Sequence, residues 1–417
     1  MKPMKNWSLI SRLLPVLAAL LWLQGCSAPI RRDATPQNLQ ASAEIPGIPG
    51  VRYCALWPKD LAAMAEEGMA AVVKEKAWLA ANGHTGPLPP TAFLAVSGGG
   101  DDGAFGAGLL NGWTERGDRP SFKLVTGVST GALIAPFAFL GPAYDPVLRE
   151  VYTQVAPKDI AVTRGLMAAV FDDAMADNKP LTGLVNKYID LKFLKAVADE
   201  YAKGRILMVA TTNLDTRLPV IWNLTKIAAS GHPDALALFQ KLMIASASIP
   251  GAFPPAMIDV VAGGKPYQEM HVDGGATTQV FLYPPALNEK IKELNNGKTP
   301  QRERKLYIIR NARLDPDWAQ VERRTLSIVQ RSISSLIQTQ GLGDLYRIYA
   351  TALRDGLDYH LAYIPETFNA PHKEDFDTGY MRALFTVGEN MARQGYPWQA
   401  EPPKAIATPA DAATESH

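Results

Sequence analysis

Residues 122–131 read Phe-Lys-Leu-Val-Thr-Gly-Val-Ser-Thr-Gly, an apolar run that leads into the pattern Gly-x-Ser-x-Gly. Apolar runs of this length are typical of buried strands, and the residues after Gly131 predict a helix that ends near Gly141. A serine at such a strand-to-helix junction lies on a tight turn that the flanking glycines permit, close to a helix N-terminus that stabilises negative charge. Ser129 is therefore a candidate nucleophile, with a structural turn and a capping serine as the alternative.

A glycine-rich loop lies upstream, where Gly98-Gly-Gly-Asp-Asp-Gly103 follows a second strand-like run, Thr91–Ser97. Glycines allow backbone N–H groups to approach an anion closely, and a predicted helix, 104–115, follows at once. A dinucleotide-binding loop would need an acidic residue ending the next strand, and a nucleotide phosphate loop would need Gly-Lys-Ser/Thr. Since neither is present, we interpret the loop as an oxyanion hole, in which each donor contributes roughly 3 to 4 kcal/mol. The candidate donors are Gly98, Gly99, Gly100 and Gly103.

The order of predicted elements determines the fold class. Strand, helix, strand and helix in succession predict a parallel sheet that is covered on both faces. We therefore expect an α/β fold with a central, mostly parallel sheet flanked by helices and a helix-rich C-terminal part. Further predicted elements are a helix at 59–81, strands at 205–211 and 218–222, a hairpin at 257–261 and 267–272, and a last strand at 305–310.

The general base that would activate Ser129 has two kinds of candidate. The histidines downstream of it are His232, His271, His360, His372 and His417, and a lone histidine is more often a surface residue or a satisfied core residue. Asp273-Gly274-Gly275 directly follows a predicted strand. A strand end places a carboxylate at the rim of the sheet, where the serine turn also lies, so Asp273 is the better candidate.

Four blocks, taken in their order, resemble the patatin-like phospholipase family over Phe93 to about Arg313. They are the loop 98–103, the turn 127–131, the segment Ala245-Ser-Ala-Ser-Ile-Pro-Gly-Ala-Phe-Pro254 and the triplet 273–275. The resemblance implies a Ser129 nucleophile, an Asp273 base without histidine, and an oxyanion hole in the first loop. It also implies that Gly127, Gly131, Gly274 and Gly275 support these motifs. The family hydrolyses acyl esters of phospholipids, lysophospholipids and neutral lipids, and it needs neither a metal nor an organic cofactor.

One position departs from this family, because Asp102 occupies a place where the family usually has Arg or Lys. A carboxylate there would repel an anionic head group, or it would pair with a neighbouring arginine. Asp101 and Asp102 also fit a plain role as acids at a helix N-terminus.

Two other functions remain open on the sequence. A Ser-His-Asp esterase of the α/β-hydrolase type would depend on His360 or His372, and a lipid-binding envelope lipoprotein would keep the fold without catalysis. Nucleic-acid binding is not expected, because 42 Lys and Arg residues balance 41 Asp and Glu residues and are scattered along the chain. No His/Cys cluster has metal-ligand spacing. The sequence predicts no particular protein partner.

The first 26 residues have the parts of a secretory signal. Basic residues precede the apolar run 13–23, which is shorter than the roughly 20 residues a spanning helix needs. The run ends in Leu23-Gln-Gly-Cys26, which resembles the lipobox of bacterial lipoproteins, where the cysteine is lipidated and becomes the mature N-terminus. This implies a membrane-anchored envelope lipoprotein, and Ser27 in place of Asp favours the outer membrane. An ordinary signal peptide or an uncleaved anchor is the alternative.

The resulting domain prediction has four parts. They are a signal peptide at 1–25, a lipidated N-terminus and tether at 26–57, a patatin-like hydrolase domain at 58–400 with its motif core at 93–313, and a polar tail at 401–417. The tether prediction rests on residues 28–50, which are rich in Pro, Gly, Ala and polar residues and lack a hydrophobic period. If Cys26 carries lipid, Cys54 has no disulfide partner and is expected to be a buried or half-buried thiol.

Residues 321–339 carry Leu326, Ile328, Val329, Ile333, Leu336 and Ile337 at helical spacing. The preferred interpretation is an amphipathic helix that faces the core. A membrane-docking surface is the alternative.

Overall fold

The computed structural model describes residues 31–164, 172–297, 302–315 and 318–403. The predicted signal peptide, Cys26, His417 and the tail beyond residue 403 lie outside these ranges.

Nine strands of the described chain form one mixed sheet in the order β1-β7-β6-β3-β2-β10-β11, with β9 also paired to β6 and β8 to β9. A separate pair, β4 and β5, is antiparallel. The strand bounds are β1 Arg52–Tyr53, β2 Thr91–Val96, β3 Phe122–Val128, β4 Val162–Thr163, β5 Ala176–Asp177, β6 Ile206–Asn213, β7 Leu218–Asn223, β8 Ala256–Ala262, β9 Lys265–Asp273, β10 Arg304–Arg310 and β11 Asp358–Tyr363.

Five neighbouring strands, β6, β3, β2, β10 and β11, run parallel to one another. Their carboxyl ends therefore lie along one edge of the sheet, which we call the carboxyl edge. The turn that contains Ser129 follows β3 and the glycine loop follows β2, so both predicted motifs meet at this edge. The predicted α/β fold with a mostly parallel sheet is confirmed.

Helices cover both faces of the sheet. Alternate residues of β2 and β10 explain this, because Leu94 and Ile309 enter one apolar core whereas Ala95 and Ile308 enter another. The helix bounds are α1 Pro58–Ala81, α2 Gly103–Arg116, α3 Thr130–Leu140, α4 Asp145–Gln154, α5 Lys179–Tyr188, α6 Leu191–Ala202, α7 Leu224–Ala228, α8 Ala235–Ser246, α9 Leu287–Leu294, α10 Thr325–Asp355 and α11 Thr378–Arg393.

The prediction that β10 is the last strand is wrong, because β11 extends the parallel sheet beyond it. The sequence of β11, Asp-Tyr-His-Leu-Ala-Tyr, mixes polar and apolar residues as an edge strand does. It lacks the continuous apolar run that predicts the other parallel strands.

The segment predicted as a tether is part of the folded domain throughout its described residues, beginning with Arg31, which is hydrogen-bonded to Asp215, and Thr35, which is buried. Ala43, Ile45, Ile48 and Val51 are buried in the main apolar core, and β1 pairs with the edge strand β7. This corrects the domain start at residue 58. The segment has no hydrophobic period because it packs as irregular chain, with apolar residues at uneven spacing, rather than as a helix or a long strand. Cys54 is a buried free thiol, as expected.

The prediction of a core-facing helix at residues 321–339 is also wrong. Only the second half of α10 packs against the sheet, through Leu345, Ile348 and Ala352. The large apolar residues of the first half are exposed, namely Ile328, Val329, Ile333, Leu336 and Ile337; the side chain of Leu326 lies outside the described part. Periodicity shows that a helix has an apolar face but not what covers that face. Among the described helices, none combines the length and the apolarity that a transmembrane passage demands.

Replacement of Ile48 tests the packing of the N-terminal segment. Ile48→Ala is expected to lower the free energy of unfolding by about 2 to 5 kcal/mol, because it leaves a cavity in the main core. Leu56→Ala, at a position that is 70% exposed, serves as the control and should change stability by no more than about 0.5 kcal/mol. Chemical denaturation of the full chain measures both. Equal stability of the two variants would restore the tether interpretation.

Candidate active site

Ser129 lies on a strained turn between β3 and α3. Its backbone has φ 54° and ψ −126°, a conformation that residues other than glycine rarely adopt. Its N–H donates to Ser246 Oγ at 3.0 Å, and its carbonyl oxygen accepts from the N–H groups of Ala132 and Leu133 in the first turn of α3. The Ser129 side chain makes no capping hydrogen bond to the helix, so Ser129 is not a capping serine.

Asp273 ends β9 at the same level of the sheet. The registers pair Val128 of β3 with Ala210 of β6, and Thr211 of β6 with Asp273, so the two candidate residues flank β6. Ser129 Oγ donates to Asp273 Oδ2 at 2.5 Å, and both residues are buried. The other carboxylate oxygen, Oδ1, accepts from the N–H of Gly275 at 2.7 Å. We call this arrangement the Ser129–Asp273 pair.

Burial raises the pKa of Asp273 to about 7 from an ordinary value of 3.8. The hydrogen bonds from Ser129 and from the N–H of Gly275 oppose this shift, because both stabilise the ionised carboxylate. A carboxyl group whose pKa lies near neutrality is suited to accept and return a proton.

Two of the four predicted oxyanion donors are already engaged. The N–H of Gly98 donates to the carbonyl oxygen of Gln279 at 3.0 Å, and the N–H of Gly103 donates to carbonyl groups of the preceding turn. This corrects the prediction for Gly98 and Gly103 as donors. Within the described residues, the N–H groups of Gly99 and Gly100 donate to no protein acceptor. They are the donors that remain for a bound anion.

Glycine is required at these motifs by close packing. A Cβ on Gly98 would lie 3.2 Å from the Cβ of Ser129, so the loop passes directly beside the serine. The supporting glycines have even less room: a Cβ would come within 2.3 Å of a backbone oxygen at Gly127 and Gly131, and within 2.5 Å of one at Gly274. At Gly275 it would come within 3.0 Å of the carboxylate of Asp273.

Gln279 connects the glycine loop to the turn after Asp273, and the sequence does not predict this role. Its carbonyl oxygen accepts from Gly98, and its side-chain amide donates to the carbonyl oxygen of Gly275 at 2.7 Å. Its own N–H donates to the buried carboxylate of Asp344 at 2.6 Å. Gln279 thereby joins the glycine loop to the turn after Asp273. A lone glutamine four residues after the triplet 273–275 gives no signal in sequence.

Asn311 fixes the glycine loop from the other side and was also missed. Its side-chain amide donates to the carbonyl oxygen of Ser97 at 2.9 Å, and its Oδ1 accepts from the N–H of Gly106 at 3.0 Å. A Cβ on Gly99, which has φ 152°, would lie 2.0 Å from the carbonyl oxygen of Asn311. The close approach explains why this position requires glycine.

The two acidic residues of the glycine loop are bound to the C-terminal part of the chain. Asp101 accepts from His372 Nε2 at 2.7 Å and from the N–H of Phe376 at 2.8 Å. Asp102 accepts from the hydroxyl of Tyr380 at 2.5 Å, so its hydrogen-bond partner is a tyrosine rather than an arginine. Burial raises the pKa of Asp102 to about 6. Both residues directly precede the first turns of α2, as expected for acids at a helix N-terminus.

No histidine in the described ranges is hydrogen-bonded to Ser129 or Asp273. His271 is a satisfied core residue between Thr211 and Glu269, and burial lowers its pKa. His360 stacks on Tyr307 and pairs with Asp358. His232 pairs with Asp234 on an exposed loop.

An apolar cavity of about 70 Å³, partly open to solvent, lies against the glycine loop and α3. Gly100 of the loop and Thr130, which follows Ser129 in the chain, are among its lining residues. The remaining lining is almost wholly apolar and includes Leu133, Phe137, Leu148, Val151, Leu181 and Met243. Such a lining is suited to an aliphatic chain.

Comparisons with solved structures give weak matches. VipD from Legionella pneumophila matches with 11% identity over 73% of this chain and 67% of its own, at a TM-score of 0.35. ExoU from Pseudomonas aeruginosa, in complex with SpcU, matches with 11% identity over 74% of this chain and 52% of its own, at 0.22. This chain thus spans about half of ExoU. Scores this low support no inference about function. A comparison with curated proteins gave no match.

A comparison with family models is more informative. Residues 94–284 match the model described as Patatin-like phospholipase. The matched range contains the second half of β2, the glycine loop, the serine turn, Asp273 and Gln279, which are the parts that meet at the carboxyl edge. Through residues 94–284, therefore, the chain carries a patatin-like phospholipase domain.

Proposed function

We propose that this protein is a lipid acyl hydrolase that cleaves carboxylic esters with Ser129 as nucleophile and Asp273 as base. The observation that carries the proposal is the 2.5 Å hydrogen bond from Ser129 Oγ to a buried carboxylate. The patatin-like domain supports the same reaction class. A nucleophile paired with a base in this way is the arrangement that covalent acyl transfer needs.

In the proposed cycle, Ser129 Oγ attacks the ester carbonyl carbon while its proton passes to Asp273. The tetrahedral intermediate collapses, the carbon–oxygen bond to the alcohol breaks, and Asp273 returns the proton to the leaving alcohol or lysolipid. Asp273 then takes a proton from water as the water attacks the carbonyl carbon of the acyl-enzyme. The bond from that carbon to Ser129 Oγ breaks, Asp273 returns the proton to Ser129 Oγ, and the acid is released.

The N–H groups of Gly99 and Gly100 would hold the negative oxygen of the intermediate. Their positive φ angles, 152° and 58°, direct consecutive N–H groups as anion-binding loops do. The loop is fixed by Gln279 and Asn311, so the donors are oriented before substrate binds. Fixed donors in a water-poor site contribute more to catalysis than mobile ones.

The apolar cavity indicates the acyl part of the substrate. Its accessible lining is almost wholly apolar, although Asp101, Thr130 and two tyrosines contribute atoms to it, so an aliphatic acyl chain suits it better than a charged group does. We therefore propose phospholipids, lysophospholipids or neutral lipids as the substrate class, with the acyl chain in this cavity.

Replacement of the pair tests the reaction. Ser129→Ala and Asp273→Asn are each expected to lower kcat/KM for nitrophenyl esters by about a thousandfold or more, because nucleophile and base act as a unit. In the full-length native protein, activity should rise with the acyl length of the ester, because longer acyl chains fill more of the cavity.

His360→Ala is the matched control, because His360 lies in the middle of β11 and is hydrogen-bonded to Asp358 rather than to Ser129 or Asp273. It should retain native activity. Loss of activity in His360→Ala or His372→Ala together with an active Asp273→Asn would favour a Ser-His-Asp esterase. A native protein that is inactive and unlabelled by a fluorophosphonate would instead favour a lipid-binding role.

The raised pKa of Asp273 predicts a pH dependence of both activity and stability. kcat/KM should rise with pH about a midpoint near 7, because the base must be ionised. The folded protein holds this proton more tightly than the unfolded chain, whose carboxyl has a pKa near 3.8. Ionisation therefore lowers stability progressively between about pH 4 and pH 7, and the loss is constant above that range.

Asp273→Asn removes this ionisation and should be more stable than the native protein above about pH 8, by roughly 4 kcal/mol at most. The difference should shrink towards pH 4, where the native carboxyl is neutral. Thermal unfolding across this range measures it. A stability difference that does not vary with pH would contradict the raised pKa.

We also propose that Cys26 is lipidated and anchors the protein in a bacterial envelope membrane, with the outer membrane favoured by Ser27. The support is the lipobox-like sequence that precedes it. Cys26→Ala should release the protein from the membrane fraction of cells, and the native N-terminal peptide should carry acyl chains by mass spectrometry. A native peptide without acyl chains, or an unchanged membrane pool in Cys26→Ala, would refute the anchor.

A further inference from the structure

We propose that the first half of α10 is a membrane-docking helix that lies on the surface of an anionic lipid bilayer beside the active site. The apolar stripe that would contact lipid consists of Val329, Ile333, Leu336 and Ile337, which are 47%, 51%, 70% and 41% exposed. This surface is separate from the Ser129–Asp273 pair, so the proposal does not depend on the proposed reaction.

The stripe occupies one side of the helix. At 100° per residue, its four side chains fall within an arc of about 100°. Residues 325–340 span about 24 Å of helix at 1.5 Å per residue. The opposite side carries Ser327, Arg331, Ser334 and Gln338, together with Ile328, which is 49% exposed. An apolar stripe opposite a mainly polar side is typical of helices that lie in the plane of a membrane interface.

The stripe points away from the rest of the protein. Gln338, on the opposite side, donates to the carbonyl oxygen of Arg313 and accepts from Arg310, both at 3.3 Å. The backbone of Gly341 packs against the same arginine, because a Cβ there would lie 2.2 Å from Arg310 Nη1. The side that holds the helix to the domain is therefore the polar one, and the apolar stripe faces solvent.

The helix leaves the domain at the carboxyl edge, where the active site also lies. Arg310 ends β10, and β10 is parallel to the strands that precede the glycine loop and Ser129. A lipid bilayer in contact with the stripe would thus lie next to the edge at which Ser129 is presented.

The predicted anchor reaches the same edge. Arg31 is bonded through both terminal nitrogens to Asp215, which follows the carboxyl end of β6. Only five residue steps separate Arg31 from Cys26, so a lipid on Cys26 would lie within about 18 Å of Arg31. The anchor and the stripe would therefore contact the same membrane.

Charge and aromatic content favour a bilayer over a second copy of this chain. Residues 318–340 carry a net charge of +2, from Arg323, Arg324 and Arg331 against Glu322, which pairs with Arg324. Anionic head groups attract this net positive charge, whereas it would repel the same segment of a second copy. Trp318, which precedes the helix, is 84% exposed, and tryptophan is enriched at membrane interfaces.

Site-specific labelling tests the orientation in the full chain. Leu336→Cys, in a Cys26→Ser background, is labelled with an environment-sensitive nitrobenzoxadiazole; Cys54 is buried and does not compete. Ser334→Cys, on the opposite side of the helix, and Leu191→Cys, an equally exposed position on α6, are the matched controls. The vesicles contain phosphatidylcholine and phosphatidylglycerol with brominated acyl chains.

We expect bromine to quench the label at residue 336 at least about twofold more strongly than the labels at residues 334 and 191. Equal quenching at all three positions would overturn the proposal. The proposal would also be overturned if the label at residue 336 became shielded from solvent without vesicles, and more so at higher protein concentration. That result would favour a second copy of the chain as the partner.

Co-flotation with unbrominated vesicles of the same composition gives a second measurement. Serine at all four positions of the stripe should lower vesicle binding about tenfold, because the apolar contact is lost. Serine at Leu56, Val73, Leu191 and Leu294, which are exposed apolar residues elsewhere, should leave binding unchanged. Equal losses in the two variants would refute a specific docking helix. Neither measurement depends on hydrolysis.

Discussion

A carboxyl group buried beside a serine hydroxyl is the constraint on which the rest of the site depends. Asp273 is inside the protein with two hydrogen bonds, one from Ser129 and one from the N–H of Gly275. The hydroxyl can reach it only from a turn with φ 54°, and that turn requires glycine at positions 127 and 131 because backbone oxygens lie within 2.3 Å of any Cβ there. The strain at Ser129 is offset by the fixed bonds to Ser246 and α3.

The features that sequence predicts well are those with a local signal. The parallel strands are continuous apolar runs, and Ser129 and Asp273 are identified by glycines that stand next to them in the chain. Gln279 and Asn311 have no such signal, because each acts on a loop about two hundred residues away and is placed there by strand order alone. For the same reason β11 and the buried segment around Ile48 were missed: their burial comes from the neighbours they acquire, not from their own pattern.

The carboxylates of the glycine loop illustrate how context changes the meaning of a residue. Asp101 and Asp102 directly follow the N–H donors of Gly99 and Gly100, which are suited to an anion, and free carboxylates there would oppose anion binding. Each is instead bound by the C-terminal part of the chain, through His372 and Phe376 in one case and Tyr380 in the other. Since burial raises the pKa of Asp102 to about 6, part of its charge is suppressed near neutral pH.

The position of the apolar surfaces gives a physical reason for coupling a docking helix to this site. Moving an acyl chain from a bilayer through water costs about 0.8 kcal/mol for each CH₂ group exposed. An apolar stripe and the mouth of an apolar cavity at the same edge of the sheet shorten the aqueous path between bilayer and cavity.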